Sequence, residues 1–136
     1  MDNTPYITET DFIRLRNAMG KMNMSAAVAY VADTLRDTLN GAKRVPSEKI
    51  TADIVTMNSE VELRDLGTDT TVAMTVTYPE DVDLKNRRVS VLTPAGAAVF
   101  AKRIGDRVQW LTPTGVKVFV LEKIRYQPEA AGDFHL

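Results

Sequence analysis

Ser90-Val91-Leu92-Thr93-Pro94-Ala95-Gly96-Ala97-Ala98-Val99-Phe100-Ala101-Lys102-Arg103-Ile104-Gly105-Asp106 is the stretch whose reading decides the fold. Val89 and Val91 alternate with polar neighbours and make a short strand that stops at Thr93-Pro94. Thr93 can cap the next element with its hydroxyl. Pro94 suits a first helical turn, because its φ is already helical and its missing N–H would have had no partner. Alanine is the strongest helix former, so the run predicts a helix from about Pro94 to Lys102 with Ala97, Phe100 and Ala101 on one side. Gly105-Asp106 ends the turn after it. A strand leading directly into a short apolar helix implies one helix laid across a sheet.

Period-two patterning surrounds this unit. Val61 and Leu63 alternate with Glu60, Glu62 and Arg64, Leu66-Gly67-Thr68-Asp69 turns the chain, and Val72, Met74, Val76 and Tyr78 alternate again. Pro79-Glu80-Asp81-Val82-Asp83 reads as a polar loop. Downstream, Val108 and Trp110 lead to Thr112-Pro113-Thr114-Gly115, and Val116, Val118 and Val120 open a last strand through Ile124 and Tyr126. The sheet is therefore mostly antiparallel.

The first third carries a helical period instead. Thr8 can cap Glu9 to about Met19, Asp11 sits where helix N–H groups favour an acid, and Phe12, Leu15, Met19 and Met22 form a stripe. Beyond Gly20 and Asn23, Ser25 can cap a second helix with Val28, Val31, Leu35 and Leu39 on one side and Gly41 just past its end. Two apolar stripes can zip into a short antiparallel hairpin. Composition and period both change across Ala42 to Glu48, so the expected parts are residues 1–45 and 46–136.

At 136 residues without cysteine, the chain can bury a sizeable core and has neither a disulfide framework nor a thiolate metal site. No apolar run approaches the ~20 residues of a membrane span and the N-terminus lacks a leader pattern, so the expectation is a soluble, unprocessed cytoplasmic protein. Seventeen basic and eighteen acidic residues give a formal charge of −1. No global field draws in a polyanion, and the pairs Lys43-Arg44, Arg87-Arg88 and Lys102-Arg103 read as solvated faces; no direct nucleic-acid role is expected.

Ser90 to Val99, followed by Arg103-Ile104-Gly105-Asp106, resembles the strand, S-P-L-G helix and V-G-D turn of the Gre-factor C-terminal domain. Leu111-Thr112-Pro113-Thr114-Gly115-Val116 is similar to its T-P-G-G hairpin. Asp53-Ile54-Val55-Thr56-Met57-Asn58-Ser59 and the tail Tyr126-Gln127-Pro128-Glu129-Ala130-Ala131-Gly132-Asp133-Phe134 resemble signatures of the Rnk family, regulators of nucleoside diphosphate kinase related to the Gre transcript-cleavage factors. The resemblance covers about Ile50 to Leu136. It implies an α+β chain: a short N-terminal helical hairpin (coiled coil), then an FKBP-like antiparallel sheet with one helix packed across it. It further implies binding to RNA polymerase at the rim of the secondary channel; no cofactor is expected, and the sequence leaves the oligomeric state open, with a monomer favoured.

Gre factors offer acidic side chains at the tip of a long coiled coil to help hold a second Mg²⁺. The turn expected here, Met19-Gly20-Lys21-Met22-Asn23-Met24-Ser25, has no carboxylate and one cation, whereas Mg²⁺ takes hard oxygen ligands. Helices of about 11 and 14 residues also reach only roughly 17–21 Å, about half a Gre hairpin. The expectation is a non-enzymatic regulator that competes for the channel by occupancy, with no catalytic residues and no metal site. By analogy the contacts are Leu92, Thr93 and Pro94 on the docking loop, with Lys21, Asn23 and Met24 at the tip. Leu92 departs from the aspartate common at that position in Gre factors, which removes one electrostatic contact.

Other residues invite functional readings. His135 is the only histidine and stands beside the C-terminus, where a triad or metal site has no rigid frame. Glu60 and Glu62 share one strand face, as solvent-facing acids do. Met24 suits an adaptable contact surface, while Met19 and Met22 fit the buried stripe. Trp110, Phe100, Phe119, Tyr78 and Tyr126 raise one alternative, a prolyl isomerase with an aromatic cradle; a second is a general interaction module that keeps the Gre-like fold as scaffold and acts apart from polymerase.

Overall fold

The structure, a computed structural model, describes residues 4–21 and 26–134. It is a mixed α+β chain. After β1 (Tyr6–Thr8) come α1 (Glu9–Met19), α2 (Ala26–Gly41) and β2 (Lys43–Val45). Then follow β3 (Glu60–Asp65), β4 (Thr70–Thr77), β5 (Arg88–Ser90), α3 (Pro94–Val99), β6 (Arg107–Thr112), β7 (Gly115–Tyr126) and α4 (Pro128–Ala131). The turn between α1 and α2, including Met22 and the expected cap Ser25, lies outside the described residues.

Five strands form a sheet in the order β5-β4-β3-β7-β6. All pairings are antiparallel except that of β4 with β5, which is parallel. Register shifts between β3 and β7 put bulges at the sheet's centre, and such bulges bend a strand and raise its twist. The sheet accordingly curls around α3. β3 alternates strictly, with Val61, Leu63 and Asp65 inward and Glu60, Glu62 and Arg64 outward; Glu62 pairs with Arg125 at 2.6 Å and Lys123 at 3.8 Å. Glu62 thus belongs to a solvent-side ion network.

Local signals account for α1 fully. The Asp11 backbone N–H donates to Thr8 Oγ1 at 3.1 Å, and the helix spans Glu9–Met19. Other boundaries moved. Gly41 is the last residue of α2 and takes no left-handed turn beyond it. The helix expected to run to Lys102 ends at Val99, because the chain leaving it is drawn into pairing with residues 54–55. Ala101 turns left-handed at φ 67°, its N–H donates to Val55 O at 3.0 Å, and Val55 N–H donates to Lys102 O at 2.9 Å. β1 and β2 were not foreseen; they pair in parallel, Tyr6 with Lys43 through Thr8 with Val45.

Two packing features fix the frame. Gly96 lies so close to β5 that an added Cβ would stand 2.2 Å from Ser90 O and 2.8 Å from Val91 Cα. Both are backbone atoms, so no side chain can yield. The second is Asp11, read from the sequence only as an acid suited to a helix start. It is 3% exposed. The Tyr78 hydroxyl donates to its Oδ1 at 2.8 Å, and Met57 N–H donates to Oδ2 at 3.2 Å. Burial raises the Asp11 pKa more than those bonds and Arg14 lower it, while burial and then Asp11 itself push the Tyr78 hydroxyl above its ordinary value.

Around these anchors one hydrophobic cluster takes Ile7, Leu15, Val31, Leu35 and Leu39 from the N-terminal segments and Val61, Leu63, Val76, Phe100 and Leu121 from the sheet and the residue after α3. α2 packs on α3.

Gly96→Ala is expected to lower unfolding free energy by about 3 kcal/mol, as overpacking against immovable atoms does, measured by urea denaturation. Asp11 gives a pH signature. Its folded pKa is raised, so its contribution is complete below the unfolded value of about 3.9 and is lost as pH rises toward and through the folded value. The stability difference between wild type and Asp11→Asn should therefore shrink as pH rises above about 3.9, up to the titration of the folded carboxyl. A difference that stays constant over that range would contradict the burial of an ionisable Asp11.

Candidate functional site

Residues 14, 17, 18 and 21 of α1 and its end recur at helical spacing and bring Arg14, Asn17, Ala18 and Lys21 to one wall of a cleft. The facing wall is Tyr78, Pro79 and Glu80, where β4 runs out, together with Leu92, two residues past β5. The cavity measures about 410 Å³. The Arg14 guanidinium lies 3.9 Å above the Tyr78 ring centroid, an attractive arrangement because the ring face is electron-rich. Asp11 sets this stack: its hold on the Tyr78 hydroxyl fixes the ring that Arg14 covers.

Two of the sequence-predicted contacts, Lys21 and Leu92, thus meet at one cleft. Thr93 and Pro94 follow directly as the cap and first residue of α3. The Thr93 hydroxyl donates to Ser90 O at 2.7 Å and accepts from Gly96 N–H at 3.2 Å, and Leu92 N–H donates to Ser90 Oγ at 2.9 Å. The loop is therefore held from both ends. Asn23 and Met24 lie outside the described residues, as does His135. Sequence reasoning missed Arg14, Asn17 and Glu80, and it assigned Tyr78 to strand alternation or to an aromatic cradle, not to a cleft with α1. The available signal was the run of polar residues at helical spacing opposite Leu15.

The other aromatics are dispersed. Trp110 and Phe119 stack on each other at 4.4 Å between centroids, while Phe100 and Tyr126 line two further cavities away from Tyr78. The cavity beside Phe100, about 450 Å³, contains Lys102, Arg103 and Arg107 with Asp37 and Asp106. Arg103 there is held by Asp53 at 3.7 Å. Among the described residues no three His, Asp or Glu side chains converge as a metal site would require. Nor is any described helix long and apolar enough to cross a membrane.

The two segments singled out as family signatures turn out to be joined. Gln127 Nε2 donates to Thr51 O and Ile54 O, both at 2.7 Å, and the Thr56 hydroxyl donates to Glu129 Oε1 at 2.6 Å. Tyr126 donates its hydroxyl to Asp133. Burial raises the Glu129 pKa more than the Thr56 bond lowers it. These residues clasp the tail to the segment that also supplies Met57 N–H to Asp11. Their role is to support the cleft from behind.

Residues 50–126 match the family described as Transcription elongation factor, GreA/GreB, C-term. The Regulator of nucleoside diphosphate kinase of Escherichia coli (strain K12) is 41% identical over 108 residues, 78% of this chain and 79% of that protein. A Transcription elongation factor GreA of Desulfotalea psychrophila is 32% identical over 100 residues, 74% of this chain and 59% of its own length. Among solved structures, the Prokaryotic transcription elongation factor GreA/GreB from Nitrosomonas europaea superposes with a TM-score of 0.76 at 28% identity, covering 92% of this chain and 100% of that one. The relatives carry the names of regulators and elongation factors, not of enzymes. Matched over residues 50–126, which hold its five-stranded sheet and α3, and by its likeness to the Escherichia coli regulator, the chain belongs to the GreA/GreB family, in the Rnk branch of regulators of nucleoside diphosphate kinase.

Proposed function

We propose that this chain is a non-enzymatic transcription regulator that docks on RNA polymerase beside the secondary channel and excludes Gre-type factors without cutting the transcript. The observation that carries the proposal is the superposition on a GreA/GreB structure over 92% of the chain, with the Thr93-Pro94 loop set beside the end of α1. On this reading residues 46–136 are an FKBP-like docking domain, and residues 1–45 are a short helical prong at the channel mouth. Leu92, Thr93, Pro94 and Lys21 belong to the contact surface, with Asn23 and Met24 at the tip.

Ligand chemistry supports occupancy over cleavage. Residues 19–25 contain Lys21 and no carboxylate, and a cation there repels the metal that hydrolysis needs. Reach points the same way: α1 and α2, of 11 and 16 residues, extend about 17 and 24 Å at ~1.5 Å per residue. The dispersal of Tyr78, Phe100 and Tyr126 among three cavities speaks against a prolyl-isomerase cradle.

Purified chain should bind core polymerase, be displaced by a GreA factor at rising concentration, and release no RNA fragment from backtracked complexes with Mg²⁺ present. The double variant Thr93→Asp, Pro94→Ala should bind about tenfold more weakly, since it alters a contact loop held rigid in the free protein. Absence of binding, or Mg²⁺-dependent trimming of the transcript, would overturn the proposal.

A further inference from the structure

The cleft beside α1 contains a charge arrangement that helix packing does not explain. Arg14 stacks on Tyr78, yet among the described residues no carboxylate forms an ion pair with it and no acceptor engages its N–H groups. Its nearest acid, Asp11, is buried and already engaged by the Tyr78 hydroxyl and Met57 N–H. Lys21, seven residues on and exposed, is likewise without an ion-pair partner among the described residues. Arg36, Arg44, Arg64, Arg103 and Arg125 each lie within 4.0 Å of a carboxylate, whereas Arg16, Arg87, Arg88 and Arg107 share with Arg14 the lack of an ion pair among the described residues; what sets Arg14 apart is its place over Tyr78 in a cleft. The cleft thus gathers two cations without an ion-pair partner among the described residues against one acid, Glu80, in a chain whose formal charge is −1.

The Arg14 guanidinium carbon lies 3.9 Å from the Tyr78 ring centroid, and a guanidinium presents its N–H donors as a planar fork. That geometry takes a carboxylate in two parallel hydrogen bonds. The opposite wall, Pro79 and Leu92, is apolar, and Glu80 is the one acid lining the cavity. A polyphosphate would meet the apolar wall unfavourably, and its several charges would be repelled by Glu80 more than a single carboxylate is. A protein segment carrying an acid beside an apolar side chain would match both walls.

We infer that this cleft is the receptor for a carboxylate-bearing, partly apolar segment of the polymerase, with Arg14 binding the carboxylate, Lys21 steering it, and Pro79 and Leu92 receiving the apolar neighbour. The inference rests on the docking reading above and names the chemistry of the partner at that surface. It also gives the leucine at position 92 a part: with no acid there, the partner's acid is drawn to the α1 wall and an apolar group packs opposite.

The test is equilibrium binding of the full chain to core polymerase at low and moderate salt. Arg14→Glu should weaken binding by about tenfold or more, and Lys21→Glu by about threefold, mainly through association rate. Arg14→Lys should fall between wild type and Arg14→Glu, because an ammonium cannot form the paired bonds. Lys49→Glu, at an exposed lysine lining a different cavity, should bind like wild type. Thermal melts exclude unfolding of the Arg14 variants, and the exposed Lys21 provides an independent readout. A photo-crosslinking residue at Asn17, on the α1 wall of the cleft, should capture a polymerase peptide containing Asp or Glu. Wild type that binds while Arg14→Glu and Lys21→Glu bind equally well overturns the inference and leaves docking intact. Capture of RNA, or of a peptide without an acid, overturns it too. Wild type without affinity for polymerase removes the docking reading itself.

Discussion

A carboxylate in the core joins the two ends of this fold. Asp11 starts from a helix whose cap and stripe are purely local, yet it accepts from Tyr78 at the end of β4 and from Met57 in the segment before β3. A buried acid without donors would be strongly destabilising; with two donors it becomes a directional tie that hydrophobic contact cannot supply. Through it, the rotation of α1 is set relative to the sheet. Arg14, one turn nearer the end of that helix, therefore stands over Tyr78, and the wall of the cleft follows from the tie.

The other wall depends on how closely α3 approaches β5. Gly96 permits it, and Thr93 exploits it by donating to Ser90 O while accepting from Gly96 N–H. Leu92 is then held between Ser90 and the capped helix, without a long side-chain tether of its own. Both walls are pre-organised by bonds made within the free protein, so little ordering remains for a partner to impose. Plain helix capping and a docking role for Thr93 are compatible for this reason: a capped loop is a rigid one.

What the sequence made legible is what neighbours in the chain decide. Thr8 to Met19 could be bounded because cap, stripe and stop lie within a dozen residues, and β3, β4, β6 and β7 because period two persists along each. Distant partners decided the rest. α3 ends early through pairing with Val55, and β1 finds β2 across two helices, with three-residue strands too short to show a period. Asp11 satisfied a helix-start rule so well that nothing local hinted at burial. Two of the cleft's lining residues were anticipated as contacts, Lys21 as part of a tip and Leu92 as part of a loop. That they face one cavity depends on the orientation of α1, and no local pattern encodes it.

On the proposed reading, the replacement of acids by a cation near the end of α1 changes the kind of influence available to the chain. A factor that delivers a metal ion acts catalytically and can be effective at low occupancy. A factor that only occupies the rim acts by mass action: it lowers the fraction of sites open to a competitor by 1 + [chain]/Kd. Its effect therefore scales with abundance and with the quality of its docking surface. Selection on such a protein falls on the walls of the cleft and on the bonds that hold them, Asp11 to Tyr78 and Thr93 to Ser90, more than on any reactive group. Specificity against other partners then comes from the pairing of two unmatched cations with an apolar wall, which penalises a purely apolar segment and a polyanion alike.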